Sequence, residues 1–144
     1  MVWHPIVTSL CIPTPLRKFG QFGQPATWAS LRAVLGAEMS GLQEQHASVL
    51  CEANGFLLDN GTKLYSTEEL SERNKTFEVE KYLAGFLAIG DDSGGNAFVV
   101  PVGKDDARVF SVGIGVMDAR YLGLVAQDIN AWLEAELIGN QNDG

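Results

Sequence analysis

The chain has 144 residues, of which 46% are hydrophobic and 19% charged, and its formal net charge is −8. This length and composition fit one folded domain with a sizeable core, and they exclude a disordered chain. No apolar run reaches the ~20 residues that cross a bilayer, and all 18 acidic residues follow residue 37, so the acidic body disfavours nucleic acid and anionic lipid as ligands.

The N-terminal residues and the cysteines predict a cytoplasmic protein. His4 and Pro5 interrupt the first apolar residues, and no basic segment precedes them, so we expect no signal peptide. Cys11 and Cys51 do not form a disulfide framework of the kind found in small secreted domains. A reducing compartment is therefore the expectation.

Residues 1–25 contain four of the five prolines and are predicted to form an irregular N-terminal arm. The single folded domain is predicted over residues 26–140. A polar tail is predicted over residues 141–144, where no apolar residue occurs.

Two short helices are predicted to open the domain. Thr27 is a suitable N-cap for a helix over about Trp28–Leu35. A capping box from Ser40 to Gln43 predicts a second helix, and the pair Asn54-Gly55 ends it. We expect the two helices to pack against each other as a helical hairpin.

A first β-hairpin and a third helix follow. Asp59-Asn60-Gly61-Thr62 has turn composition and lies between two predicted strand segments, Phe56–Leu58 and Lys63–Tyr65. Ser66 and Glu69 then form a second capping box, which predicts a short helix over about Thr67–Arg73.

A second hairpin is predicted at the centre of the chain. The runs Phe86–Ile89 and Ala97–Val100 have strand length and are rich in β-formers. The stretch Gly90–Asn96 between them could be a calcium loop or a phosphate cradle, but it lacks the ligand spacing of the first and the lysine of the second. It is therefore predicted to be a tight turn, and no cofactor is expected.

The remaining elements complete an α+β fold. Arg108–Met117 is predicted to be a strand, and one more strand is favoured within Asp118–Val125. A closing helix over about Gln127–Ile138 places Ile129, Trp132 and Leu133 on one face, which would lie on the sheet. The order of helices and hairpins predicts a mainly antiparallel sheet.

The sequence predicts no catalytic or metal site. His46 and Cys51 are five residues apart on one helix, so they do not face each other as residues three or four apart do. Two histidines and two separated cysteines give no zinc-ligand spacing. The paired carboxylates lie in polar stretches without an apolar pocket to separate their pKa values. We therefore expect a protein without enzymatic activity.

The acidic residues at the predicted turns are the best candidates for a partner surface. Hairpin turns of one sheet can project to the same edge and form an acidic rim there. Such a rim would attract a basic protein by complementary charge, whereas the alternative is that these acids only keep the protein soluble. The candidate partner-binding residues are Asp59, Glu68, Glu69, Asp91, Asp92, Asp105 and Asp106.

Two segments, NGFLLDNGTKLYSTEEL and YLAGFLAIGDDSGGNAFVV, resemble the SUKH superfamily. That superfamily includes bacterial toxin-immunity proteins and fungal cell-wall-synthesis regulators. The likeness covers about residues 27–138. The matching positions are Asn54-Gly55, Leu64-Tyr65, Glu69-Leu70, Leu87-Ala88-Ile89-Gly90, Gly94-Gly95, Ala126-Gln127-Asp128-Ile129 and Trp132-Leu133.

The resemblance implies an α+β domain in which helices pack against a curved sheet, and no enzymatic activity. It also implies an immunity-type protein that binds and neutralises a cognate toxin domain, often a nuclease. The alternative is a regulatory scaffold module of the fungal kind. Asn54, Gly55, Gly90, Gly94 and Gly95 are structural positions of the family pattern. The oligomeric state stays open.

Overall fold

A computed structural model of the chain describes residues 20–35, 43–102 and 106–143. Within these ranges seven strands form one antiparallel sheet, in which each strand pairs with the next one along the chain. The strands are β1 (Gly20–Phe22), β2 (Phe56–Leu58), β3 (Lys63–Leu64), β4 (Phe86–Asp91), β5 (Asn96–Pro101), β6 (Val109–Gly113) and β7 (Gly123–Ala126).

In the described part of the chain five helices accompany the sheet, and a 3-10 turn at Ala119–Tyr121 precedes β7. The helices are α1 (Trp28–Leu35), α2 (Glu44–Glu52), α3 (Thr67–Thr76), α4 (Val79–Tyr82) and α5 (Ile129–Asp143). The predicted α+β class with an antiparallel sheet is therefore confirmed, and the finer SUKH-like arrangement stays a prediction.

Aromatic side chains build the core between α5 and the sheet. Trp132 of α5 is fully buried. Its indole packs against the rings of Phe56 and Phe98, with centroid distances of 6.4 and 5.1 Å. Ile129 and Leu133 are buried on the same helix, so the predicted apolar face is confirmed. Burial of such side chains, at roughly 1.5–3 kcal/mol each, drives the packing of α5 on the sheet.

The third helix is joined to β4 through one asparagine. The side-chain amide of Asn74 donates to the carbonyl of Ala88, and its oxygen accepts from the Ala88 N–H, both at 2.8 Å. β3 ends at Leu64, so this pair of bonds satisfies β4 where the neighbouring strand has stopped. The register of β4 against β5 shifts between Ala88 and Gly90, next to this contact.

The local signals at the turns and helix starts are mostly confirmed. Ser66 accepts from the Glu69 N–H, and the Glu69 carboxylate accepts from the Ser66 N–H, as a capping box requires. The Asn54 side chain has a second role, because its oxygen accepts from the N–H of Thr67 at 2.9 Å and ties the end of α2 to the start of α3. The buried Gly55 has a φ of 91° and follows Asn54.

Four expectations need correction. The arm predicted as irregular over residues 1–25 contains β1, whose Gly20 and Phe22 pair with Leu58 and Phe56. The predicted helical hairpin is wrong for the described residues, because α1 packs against α3 and α2 against α5. The backbone of α5 continues to Asp143, through the predicted polar tail.

The fourth correction concerns the capping box predicted from Ser40 to Gln43. Ser40 lies outside the described residues, and the Gln43 side chain makes no cap bond at the start of α2. Instead its amide donates to the carbonyls of Pro101 and Asp106 at 2.8 and 2.9 Å. Gln43 is buried, so its amide serves a long-range contact that a local pattern does not reveal.

Candidate functional site

The strand order decides which turns lie together. Consecutive strands run in opposite directions, so the β2–β3, β4–β5 and β6–β7 connections lie at one end of the sheet. The β1–β2, β3–β4 and β5–β6 connections lie at the other. The first end carries acids from all three of its connections, and we call it the acidic end. Its defining residues are Asp59, Asp91, Asp92 and Asp118.

Asp91 and Asp92 shape the β4–β5 turn with their own carboxylates. Asp92 Oδ1 accepts from the N–H groups of Gly94 and Asn96 at 2.8 and 3.0 Å, and Asp91 Oδ1 accepts from the N–H of Ser93 at 2.9 Å. Partial burial raises the pKa of Asp92, but the hydrogen bonds from Asn96 and Gly94 outweigh it and lower the pKa below its usual value. Asp92 is therefore a charged part of the turn, and both carboxylates hold its backbone.

Two hydrogen bonds lock the three connections to one another. The Ser93 hydroxyl donates to the carbonyl of Gly61 at 2.6 Å, which joins the β4–β5 turn to the β2–β3 turn. The N–H of Ile114 donates to the carbonyl of Gly95 at 2.8 Å, which joins the β4–β5 turn to the β6–β7 connection. The acidic end is consequently one continuous surface.

Helix α5 supports the same surface from the core side. The Thr62 hydroxyl donates to Glu136 Oε1 at 2.6 Å, and the Asn60 amide donates to the same oxygen at 3.4 Å. Asn60 also accepts from the N–H of Thr62 at 2.9 Å within the β2–β3 turn. Asp59, the first residue of that turn, is exposed.

A buried tyrosine anchors the centre of the acidic end. The Tyr65 hydroxyl donates to Asp91 Oδ2 at 2.6 Å, and the Tyr65 side chain is 1% exposed. Burial and the hydrogen bond to Asp91 raise the pKa of Tyr65 far above its ordinary value. Tyr65 therefore stays a neutral donor to the carboxylate.

Glu68 and Glu69 differ in what they contribute. Glu69 forms an ion pair with Lys63 at 2.7 Å, and Lys63 is the cross-strand partner of Asp91. Partial burial raises the pKa of Glu69, but the Lys63 ammonium and the capping bonds outweigh it and lower the pKa. Glu68 is exposed and accepts from the Thr67 hydroxyl at 3.1 Å. Glu69 thus lies beside the acidic end, with its charge compensated by Lys63.

Asp106 does not belong to the acidic end, which corrects the predicted rim. It lies in the β5–β6 connection, at the opposite end of the sheet. Its carboxylate pairs with the Arg108 guanidinium at 2.6 Å, and that hydrogen bond lowers the pKa of Asp106 to about 2. Asp105 lies outside the described residues. Turns of a meander alternate between the two ends, so three consecutive hairpins cannot share one edge.

The glycines predicted as structural positions have distinct local reasons. A Cβ on Gly90 would lie 1.9 Å from the carbonyl oxygen of Lys63, so the approach of β3 to β4 requires a glycine there. Gly95 has a φ of 102°, with no atom within 4 Å of the Cβ position. Gly94 lies in the same turn without a positive φ.

The sequence reasoning missed the contribution of the β6–β7 connection. Asp118 pairs with Arg120 at 2.8 Å, and that hydrogen bond lowers the pKa of Asp118. Large apolar side chains lie exposed on this connection and on β7. Their only signal in the sequence is that β7, with the sequence GLVA, contains no charged residue. These exposed residues are Val116, Tyr121, Leu124 and Val125.

The comparisons with known proteins assign no family. No family model and no curated protein match this chain. No helix among the described residues is long and apolar enough to cross a membrane.

His46 and Cys51 are not activated for catalysis, and the described residues hold no metal site. His46 is fully buried, its two ring nitrogens find no hydrogen-bond partner among the described residues, and burial lowers its pKa to about 4. Burial raises the pKa of Cys51, which disfavours the thiolate. Within the described part of the chain, no three metal-binding side chains lie close enough together to hold an ion. The acidic end is therefore the candidate site.

Proposed function

We propose that the chain is an immunity-type binding protein that neutralises a cognate protein toxin, of nuclease type, by stoichiometric association in the cytoplasm. One observation carries the proposal. Carboxylates lie on three connections that are hydrogen-bonded to one another at one end of the sheet, and exposed apolar side chains adjoin them. The resemblance of the sequence to the SUKH superfamily supports the same interpretation.

The charge balance of the acidic end favours a basic partner. Two cations near it, Lys63 and Arg120, already pair with Glu69 and Asp118. The exposed Asp59 and the net charge of −8 leave a negative potential at this surface. Such a potential accelerates the encounter with a cationic protein, and salt weakens it.

Exposed apolar residues next to the acidic end can supply binding affinity that charge alone does not. Interfaces derive most of their affinity from a few large side chains in desolvated pockets, and tyrosine is among the commonest. Tyr121 is 62% exposed and Leu124 is 54% exposed. A partner that meets the acidic end can bury both, so affinity and rate of encounter come from adjoining parts of one surface.

The first experiment measures binding to the protein encoded beside this gene, made as a catalytically inactive variant. We expect stoichiometric binding by calorimetry, together with rescue of growth when both native proteins are expressed. Absence of both binding and rescue would refute the proposal. Binding without rescue would instead favour the regulatory scaffold module.

A charge-reversal pair tests the acidic end itself. Asp59→Lys should slow association several-fold at low salt, and the difference should vanish at high salt, because screening removes steering. Glu80→Lys makes the same charge change on the exposed start of α4, next to the opposite end of β4. Equal association rates for the two variants would place the partner on another surface.

A further inference from the structure

β7 is an edge strand with one unpaired side. It pairs with β6 through Gly123–Ser111, Leu124–Phe110 and Ala126–Val109, and it is the last strand of the sheet. Among the described residues, no strand pairs with its outer side. The N–H and C=O groups on that side are therefore a template for another extended segment.

The side chains of β7 are unusual for an edge that only faces water. Leu124 and Val125 are 54% and 39% exposed, and Tyr121 and Val116 add exposed apolar surface just before the strand. Edge strands that avoid association usually carry charged residues, above all lysine, or a proline. Gly123–Ala126 has the sequence GLVA and carries none of these.

One irregularity is present in β7. The register against β6 shifts between Val109 and Phe110, so Val125 has no partner residue on β6. A bulge of this kind increases the local twist of the strand. It does not cover the apolar side chains, which stay exposed.

We propose that β7 receives an extended basic segment of a partner protein as an eighth strand. The proposal rests on the proposed function and names the docking element for the toxin. The β6–β7 connection is bonded to the β4–β5 turn through Ile114 and Gly95, so β7 continues the acidic end. Strand addition supplies backbone hydrogen bonds, and the negative potential selects a cationic segment.

The net charge also disfavours a second copy of this chain as the occupant. A second copy would bring another net charge of −8 to the same surface. Two chains that both carry this net charge repel each other at low salt. A cationic segment is favoured instead, because it would approach a chain of net charge −8 from the side of the acidic end.

A pair of peptides tests the edge without knowledge of the toxin. The probes are the blocked hexapeptides Ac-(Lys-Val)₃-NH₂ and Ac-(Glu-Val)₃-NH₂, titrated into the ¹⁵N-labelled full chain. We expect the basic peptide to shift the amide signals of residues 123–126 and to slow their hydrogen exchange. The acidic peptide should bind at least tenfold more weakly. Equal responses, or shifts confined to other strands, would overturn the proposal.

Two variants separate the edge from its surroundings. Leu124→Lys should abolish the response to the basic peptide, because it puts a cation on the edge. Val102→Lys, at a residue with 45% exposure at the other end of β5, should leave it unchanged. Unfolding curves of both variants confirm that they fold. An unchanged response in Leu124→Lys would refute the strand addition.

Three outcomes distinguish docking at β7 from the proposed immunity function. A wild-type dimer by sedimentation that Leu124→Lys dissolves would show a second copy on β7 and overturn the basic partner. Toxin binding that Leu124→Lys leaves unaffected would overturn β7 docking and keep the immunity function. A specific response to the basic peptide without toxin binding would keep the edge site and refute the immunity function.

Discussion

The Tyr65 hydroxyl donates a 2.6 Å hydrogen bond to Asp91 Oδ2, across 26 residues of sequence. Tyr65 directly follows β3, and Asp91 is the last residue of β4. The bond therefore attaches a buried ring to the acid that begins the β4–β5 turn. A surface carboxylate is positioned in this way by the core beneath it.

Removal of this hydroxyl should weaken the fold. Tyr65→Phe should lower the free energy of unfolding by about 1–2 kcal/mol, because Asp91 loses a short bond from a buried donor. Urea unfolding at neutral pH measures the difference. Tyr82→Phe, at an exposed tyrosine, is the control and should change stability little. Equal effects of the two variants would show that the Tyr65 bond contributes nothing.

The β4–β5 turn offers a comparison between adjacent glycines. Gly95→Ala should destabilise the protein by about 1–2 kcal/mol, because its φ of 102° is one that residues with a Cβ rarely adopt. The Cβ itself would meet no atom within 4 Å, so the cost is conformational. Gly94→Ala should cost less, since its Cβ would meet only Asp92 at 3.4 Å or more. Thermal unfolding distinguishes them, and a larger loss at Gly94 would contradict the turn geometry.

Substitutions of Asp92 and Asp59 should differ in their effect on the free energy of unfolding. Asp92→Ala should lower the free energy of unfolding by about 1–2 kcal/mol, because three donors of Gly94 and Asn96 lose their acceptor. Asp59→Ala should stay within about 0.5 kcal/mol, as an exposed substitution does. Chemical unfolding provides the measurement, and a stability loss at Asp59 equal to that at Asp92 would be the contrary result.

Because His46 is buried with a lowered pKa, we expect the protein to lose stability in acid. Its pKa is 6.5 when the ring is solvated and about 4 in the folded protein, so between these values the unfolded chain binds a proton that the folded chain does not. Stability should therefore fall by roughly 3 kcal/mol as the pH drops from about 6.5 to 4, and this contribution levels off below 4.

The measurement compares unfolding free energies at pH 7 and pH 4.5 in the wild type and in His46→Leu. The variant should lose clearly less stability between these pH values, because carboxylates contribute equally to both proteins. His4→Asn removes the other histidine and serves as the control. A His46→Leu slope as steep as that of the wild type would contradict the role of this ring.

Local signals predicted most of the elements. Asn60-Gly61 predicted the first hairpin, and Ser66 with Glu69 predicted the start of α3, because both depend on neighbours within a few residues. The β1 strand escaped notice, since a three-residue segment after several prolines has no periodicity and forms only against β2. The role of Gln43 was hidden for the same reason, because its acceptors lie about 60 residues away.

The candidate site was predictable in part. The acids at the β2–β3 and β4–β5 turns do lie together, as the hairpin signals indicated. The predicted position of Asp106 is wrong because strand directions alternate in a meander, so successive connections lie at opposite ends of the sheet. Asp118 and the exposed apolar residues of β7 were missed, because exposure of an apolar strand depends on its being the last in the sheet.

The amide of Asn74 has a consequence for how the protein opens. It occupies the place of a peptide group next to Ala88, so α3 acts as a one-residue extension of β3. Fluctuations that lift α3 must break two ladder-like bonds of the central strand together. We therefore expect the helix and the strand to open together in local unfolding, and the Ala88 amide to exchange its hydrogen slowly.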